Sequence, residues 1–487
     1  MPTAPVASAG PTPTPPRQSA QPCIEPCTDP PITRGQSSSI RIPSAGSPAV
    51  VYTNPAFAAR GVPTYTLVSA SFDVDMNAAT ITTNTFQVSR GGTPVIGSVS
   101  YISLSHVAIF QPSVPLALNT VYAVTLITGI QTATGTPLSA NVTWTFTTTS
   151  GIPVLADGMN IYYGDLHNHT SYSDGMGLPV DAFATARANG LDFFALTDHS
   201  QLLTDPEWQD TLNRADAATV DNAFVGLRGF EYTNLKGHVN VLDTATYVSH
   251  TDPNYDTFEK FYPWIGSQAT AIGIFNHPIK TPLRDWNFND WAFNAQATSR
   301  ISLRGTPPYP ANQYLLSLST GWYLGAMGSA DEHEIEWGRY RFMGIIAPQL
   351  TRTAVLDALR ARRTFSIDDW RFGLAMRANG YWMGAIIPPA STISFTIVVV
   401  NQDPKALLTT LMLYDNGVLV SMVAPFTTDA LYTWTPTIQG TPGHFYYVKA
   451  YHDNDIASPA AYTSPVWMAD TTSFNHYLPM IQNNSVP

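Results

Sequence analysis

Apolar positions follow three different rhythms along this chain. Between residues 43 and 150 they come in short, partly alternating runs: YTLVSASFDV, NTFQVSRGG, GSVSYISL, HVAIFQPS, TVYAVTLITGI and NVTWTFTTT. The turn residues GG, PS and GTP separate them. Alternation turns one face of each run inward, and six or seven such strands over about a hundred residues predict a small β-sandwich. From 155 to 372 strand-like and helical runs take turns. MNIYYGDLHNH is a strand entering a polar loop, VDAFATARANG a helix stopped by Gly190, and LDFFALTDHS a second strand entering a polar loop. VGLRGFEYT, HVNVLDT, AIGIFNHP and GWYLGAMGSADEH repeat the pattern, and TAVLDALRARR is an amphipathic helix. This order predicts parallel β/α units. From 373 to 470 strands return in STISFTIVVV, LTTLMLYDN, VLVSMVAPF and GHFYYVKAYH, predicting a second β-sandwich, and 471–487 form a peripheral tail. Residues 1–42 are rich in Pro, Thr, Ser and Ala; they bury too little apolar surface to offset the entropy of ordering, which predicts a disordered linker.

Composition narrows the function classes. Charged residues make up 12% of the 487, against a usual share of roughly 25%, while hydrophobic residues make up 44%. Thr, Ser, Asn, Pro and Gly fill the gap, a mix that suits strand-rich proteins outside the cytoplasm, secreted or held at the cell surface. The net charge of −11 and the lack of a Lys/Arg run argue against a general nucleic-acid binder. A local anion site remains open if metal ions supply the positive charge. No stretch approaches the roughly 18 apolar residues of a membrane helix, and ISFTIVVV (393–400) reads as a strand. Cys23 and Cys27 are either a short-loop disulfide in an oxidising compartment or two idle thiols. The segment after Met1 has neither the basic start nor the apolar centre of a secretory signal.

The histidines carry the chemistry. Six of the eleven sit at the polar ends of apolar runs in the middle segment: His167, His169, His199, His238, His277 and His333. His238 fits least well, because it opens its run. Asp165, Asp174, Asp198, Glu231 and Asp331 accompany them. In parallel β/α architectures the C-terminal strand ends share one functional face, so these groups are expected to converge there. Imidazoles and carboxylates on one rim are what Zn, Mn or Fe requires. On an extended segment His-x-His presents both rings to one side, and Asp331-x-His333 does the same. The ligands outnumber what one ion can use, so two or three divalent ions are expected, with Glu231 a candidate bridge. Asp165 and Asp198 are read as acceptors that orient neighbouring imidazoles. His106, His250, His444, His452 and His476 read as structural.

Five motifs, GDLHNHTSYSDG, LTDHS, GFEYTNLKGHVNV, FNHP and GSADEH, stand in an order that resembles the PHP (polymerase and histidinol phosphatase) metallohydrolase superfamily. The GFEYT…GHVN spacing and the trailing β-segment resemble its CehA/McbA branch. SPAVVYTNPAF, SFDVDMNAATIT, IFQPSVPLALNTVYAVTL and TWTFTTTSG resemble a Big_5-type bacterial Ig-like domain, a class that usually serves as spacer or adhesive module. The resemblance implies a central distorted (β/α)7 TIM-like barrel, flanked here by two all-β Ig-like sandwiches, with a two- or three-metal site. It implies His167, His169, His199, Glu231, His277, Asp331 and His333 as metal ligands; Asp174 and His238 come from the residue reading. Trinuclear members that place a histidine soon after His-x-His have Asp174-Gly175 here, which leaves the third ion open.

The expected activity is hydrolysis of phosphate esters through a metal-activated water. Asp331 or His199 would carry the proton to the leaving group, and Glu231 would complete the catalytic set. Lys280 and Arg284 are candidates to hold a substrate anion, and Tyr232 to donate a hydrogen bond. Neither G-x-S-x-G nor a Gly-rich phosphate loop occurs. The same ligands would serve a carboxyl-ester, carbamate or amide hydrolase. A third reading is a surface-binding protein whose barrel is a non-catalytic scaffold and whose β-domains contact a cell surface or polymer.

Overall fold

The computed structural model describes residues 47–151, 155–234, 237–276, 301–305, 312–319, 321–339, 342–367, 372–453 and 461–470. The short alternating runs near the start form two antiparallel four-stranded sheets. Val50–Asn54, Val68–Phe72, Val107–Pro112 and Gly97–Ile102 pair in that order in one; Thr93–Pro94, Phe86–Arg90, Val121–Leu126 and Val142–Thr147 pair in the other. Val142–Thr147 shows why: Trp144 and Phe146 are buried while Thr143 and Thr145 are exposed. Phe72, Phe86, Phe110, Tyr122, Trp144 and Phe146 fill the space between the sheets.

The central sheet is built from two parallel sets. Asn160–Asp165, Phe193–Leu196 and Val225–Asn234 are parallel neighbours, as are Ile272–Phe275, Ile301–Gly305 and Gly325–Met327. Gly237–Leu242 lies between the sets and runs antiparallel to both neighbours. Beyond Asn160–Asp165, the strands Phe342–Ala347 and Thr364–Ile367 are added antiparallel. The helices Pro179–Ala188 and Asp205–Ala218 link the first three strands, and Phe258–Ser267, Asn312–Ser319 and Arg352–Arg360 link later ones. Glu207 starts the second helix by accepting from the Thr204 N–H at 2.9 Å and the Thr204 hydroxyl at 2.7 Å.

The expected (β/α)7 barrel is therefore met only in part. Parallel β/α units are present, but an antiparallel strand interrupts them and strands far outnumber helices. No backbone ladder among the described residues closes the sheet on itself. Side chains bridge the gap: the Thr364 hydroxyl donates to the Ala326 carbonyl at 2.8 Å, and the Ala326 N–H donates to Ser464 Oγ at 2.9 Å. Gly325 permits this approach, since a β-carbon there would lie 2.8 Å from Ser464 Oγ.

The sheet also runs on into the C-terminal strands. Thr364–Ile367 pairs with Ala461–Thr463, followed by Phe445–His452, Leu408–Asp415 and Val418–Val423. One layer of the C-terminal β-structure thus continues the central sheet. The other is a separate five-stranded sheet holding Phe372–Ala378 and Thr392–Asn401. Leu374, Met376, Ile393, Phe395, Ile397, Leu411, Leu413 and Val448 pack between them.

Candidate metal centre

Chain direction brings the ligands together. His167 and His169 follow the Asn160–Asp165 strand, and the His169 N–H donates to the Glu332 carbonyl at 2.8 Å, which keeps the loop extended. Both rings therefore face one side, with their Nε2 atoms 3.2 Å apart. Asp331 meets them: its Oδ1 lies 3.1 Å from His167 Nε2 and 3.2 Å from His169 Nε2. Its backbone is left-handed (φ 54°), a conformation aspartate tolerates better than most residues.

Glu231, fully buried, is the hub. Its carboxylate lies 3.2 Å from His167 Nε2, 3.5 Å from His169 Nε2, 2.9 Å from His199 Nδ1 and 3.1 Å from His238 Nδ1. Asp174 is a second, half-exposed hub, 3.6 Å from His169 Nδ1, 3.4 Å from His199 Nε2 and 3.3 Å from His333 Nε2. Three groupings result in which the ligand atoms lie within 4.8 Å of one another: His167–His169–Asp331, His199–Glu231–His238 and His169–Asp174–His199–His333.

These neighbours govern protonation. Burial alone would raise the Glu231 carboxyl, but His167, His199 and His238 hold it well below the usual carboxylate range. Burial pulls His167 down, and Asp331 and Glu231 outweigh it, raising this imidazole to about 9. At His169 burial prevails and the pKa falls. Nitrogen and carboxylate oxygen atoms turned toward each other at 2.9–3.6 Å around a buried carboxylate need shared protons or a cation between them. The set fits a divalent transition metal.

The supporting groups differ from expectation. Asp165 and Asp198 accept from the loops that carry the imidazoles. Asp165 accepts from the His167 N–H at 3.1 Å and the Ala330 N–H at 3.2 Å. Asp198 accepts from the Thr170 N–H at 2.7 Å, the Thr170 hydroxyl at 2.9 Å and the Ser173 hydroxyl at 2.7 Å. Ser173 Oγ in turn lies 3.3 Å from His169 Nδ1, so Asp198 reaches that ring through a hydroxyl. Burial pushes Asp165 up to about 8. Tyr232 corrects the reading that gave it a substrate contact: next to Glu231 on a strand, it points to the opposite face. There it is fully buried, stacked on Phe261 at 4.0 Å, with its hydroxyl donating to the Tyr255 carbonyl. His277, Lys280 and Arg284 lie outside the described residues.

Three supports escaped the sequence reading. Asn276 Nδ2 donates to Glu231 Oε1 at 2.8 Å and to Asn240 Oδ1 at 2.7 Å, and Thr233 Oγ1 lies 2.7 Å from His199 Nδ1. Asn276 closes its apolar run beside His277, so its position carried the same signal as the histidines. Amides and hydroxyls are too common at strand ends to stand out.

Among solved structures the chain is similar to a two-domain protein from Bacteroides vulgatus containing a predicted PHP-like metal-dependent phosphoesterase. That match is 17% identical, covers 64% of this chain and 96% of the other, and has a TM-score of 0.39. A second likeness is to an amidohydrolase from Chromobacterium violaceum with bound sulfate and no metal, at 14% identity, 35% and 87% coverage and a TM-score of 0.26. A third is to PcoC, a methionine-rich copper resistance protein from Escherichia coli, at 14% identity, 21% and 100% coverage and a TM-score of 0.19. Each is a partial likeness in shape. No curated protein matches. Family models do match two segments, a bacterial Ig-like domain over residues 45–148 and a PHP domain over residues 165–266, the second match opening at Asp165, two residues before the first histidine of the cluster.

Proposed function

We propose that this chain is a metal-dependent phosphoesterase acting on small-molecule phosphate esters, with two divalent ions at the Glu231 hub. The observation that carries the reading is the convergence of His167, His169, His199 and His238, from the segment that matches a PHP domain, with Asp331 from beyond it, around one buried carboxylate. Two of the three groupings, His167–His169–Asp331 and His199–Glu231–His238, share no residue. The Asp174 grouping needs His169 and His199 again. A neutral imidazole has one acceptor nitrogen, so a third ion would require both rings to lose their remaining proton. Glu231 would hold charge for both groupings without that cost, and Asp174 would then face substrate. Zn, Mn and Fe all suit the donors.

When bound, divalent ions supply Lewis acidity and lower the pKa of water toward neutrality. Glu231 is sealed from solvent, so its role is to hold and neutralise charge. Asp331 is one third exposed and His199 one eighth exposed, so a leaving group can reach them. Asp331 is the proposed proton carrier, through its carboxylate, and His199 is the alternative only where no ion takes its Nδ1. Thr233 and Asn276 fix the orientation of His199 and Glu231. The Ig-like domain favours an extracytoplasmic location.

The test is hydrolysis of bis(p-nitrophenyl) phosphate by chelator-stripped protein, before and after Mn²⁺ or Zn²⁺ is returned. Turnover restored by metal and lost in His167→Ala is expected. Stoichiometric metal binding without turnover would transfer the reading to carboxyl esters, carbamates or amides. Failure to bind metal would leave a scaffold.

A further inference from the structure

The Ig-like domain docks onto one helix end. Pro179–Ala188 finishes in a Schellman turn: the Gly190 N–H donates to the Arg187 carbonyl at 3.1 Å and the Leu191 N–H to the Ala186 carbonyl at 3.1 Å. Two carbonyls at this end fall outside that turn, those of Ala188 and Asn189. The Ig-like domain supplies their donors. Ser69 Oγ donates to the Ala188 carbonyl at 2.6 Å, Asn54 Nδ2 to the same carbonyl at 3.3 Å, and Tyr52 Oη to the Asn189 carbonyl at 2.8 Å. Gly190 is obligatory on two counts: its φ is +98°, and a β-carbon there would lie 2.4 Å from Asn54 Oδ1.

Asn189 carries this contact onward. Buried, it donates through Nδ2 to the Trp337 carbonyl at 2.7 Å. The Trp337 ring is fully buried, and its indole N–H donates to the His169 carbonyl at 3.3 Å. Trp337 stands four residues after His333. The loop that carries Asp174 is pinned from the same side: a β-carbon on Gly177 would lie 2.8 Å from Trp337 and 2.8 Å from Leu104 of the Ig-like domain. The Met176 N–H donates to the His333 carbonyl at 2.8 Å, tying the two loops together.

We propose that Trp337 is a positioning residue through which the Ig-like domain holds His169, Asp174 and His333 in register, making that domain a structural part of the metal centre and not a spacer. The proposal rests on reading His169 as a metal ligand, with Asp174 and His333 lining the same centre. Trp337 acts by fixing the backbone of His169 and the path of the loop through Gly177.

The test is Mn²⁺ and Zn²⁺ affinity of the chelator-stripped full chain, measured by calorimetric titration. Trp337→Phe keeps most of the ring and removes the donor to His169. It should weaken binding by about 10-fold, as losing an outer-shell partner does. Trp382→Phe, a buried tryptophan in the C-terminal sheet, controls for lost packing and should leave affinity unchanged. Tyr52→Phe combined with Ser69→Ala removes donors on the Ig side alone and should weaken binding by about three-fold. Unchanged affinity in the Tyr52/Ser69 variant overturns the role of the Ig-like domain even if Trp337→Phe does not fold. A wild-type chain that binds neither ion sinks the metal-centre reading itself, and this inference with it.

Discussion

Glu231 and Asp192 are both buried carboxylates of the central sheet, at opposite ends of it. Glu231 sits among four imidazoles and is held well below the usual carboxylate range. Asp192 precedes the Phe193–Leu196 strand; its Oδ2 accepts from the Tyr163 N–H at 2.8 Å, and the Tyr65 hydroxyl of the Ig-like domain is its side-chain partner. There burial dominates and pushes Asp192 up to about 7. Burial raises both groups, so its presence does not distinguish them. What differs is the company: several nitrogens able to carry positive charge at one end, neutral donors at the other. One end is organised to keep a negative charge, the other to lose it.

Removing the charge at each end should therefore have different consequences. Glu231→Gln takes one carboxylate from the shared hub. Metal stoichiometry should fall, and turnover should drop beyond the roughly 100-fold typical of losing an outer-shell partner. Metal analysis together with the phosphodiester assay reads both. Retention of two ions with near-normal turnover would break the bridge assignment.

Asp192→Asn acts on stability against pH. The folded state holds the Asp192 proton up to about 7, while the unfolded chain releases it near the ordinary 3.8. The folded form binds more protons across that window. This contribution is fully present below the unfolded value and is lost as pH rises through about 7. It is on the order of 4 kcal/mol. Denaturant midpoints from pH 4 to pH 8 should fall in the wild type and fall less steeply in Asp192→Asn, where Asp165, raised to about 8, still contributes. An equal slope in both would remove Asp192 from this account.

How much of this was legible depended on strand direction. His167, His169, Asp198 and Glu231 stand at or just beyond the C-terminal ends of parallel strands, where a rule about functional rims finds them. His238 violated that rule because its strand runs antiparallel: Thr233 pairs with His238 across the hairpin, so the start of the second strand lies on the rim. The hairpin is what brings His238 Nδ1 to Glu231. Tyr232 failed for the opposite reason, since adjacency in sequence means opposite faces on a strand. Fusion of the C-terminal strands with the central sheet, and docking of the Ig-like domain through Ser69, Asn54 and Tyr52, depend on pairings about a hundred residues apart or on lone polar side chains. Neither leaves a periodic trace.

Chelation should have a moderate effect. Ions that bind only the folded chain stabilise it by about 2.7 kcal/mol at a concentration 100-fold above their dissociation constant. For a chain this long that corresponds to a midpoint roughly 2–3 °C higher. The dependence should follow free metal concentration in the wild type and vanish in His167→Ala. Stabilisation that survives in His167→Ala would place the ions elsewhere.

The smallest effect tests whether the metal rim is special or merely close to everything. The second helix begins on that rim, just past the loop that follows His199, and Glu207 caps it with two hydrogen bonds to Thr204. Thr204 is exposed and Glu207 half-buried, and both bonds are open to solvent, so water can replace them when they are lost. Glu207→Ala should cost about 0.5–1 kcal/mol, the usual penalty for a broken helix cap. Metal affinity and the slope of stability against pH should not move, because neither Glu231 nor Asp192 touches this cap. A shift in metal affinity as large as that of Trp337→Phe would mean that any disturbance near the rim reaches the ligands. The contrast between a pooled carboxylate and a solitary one would then reflect general softness of the rim, not the specific partners of Glu231.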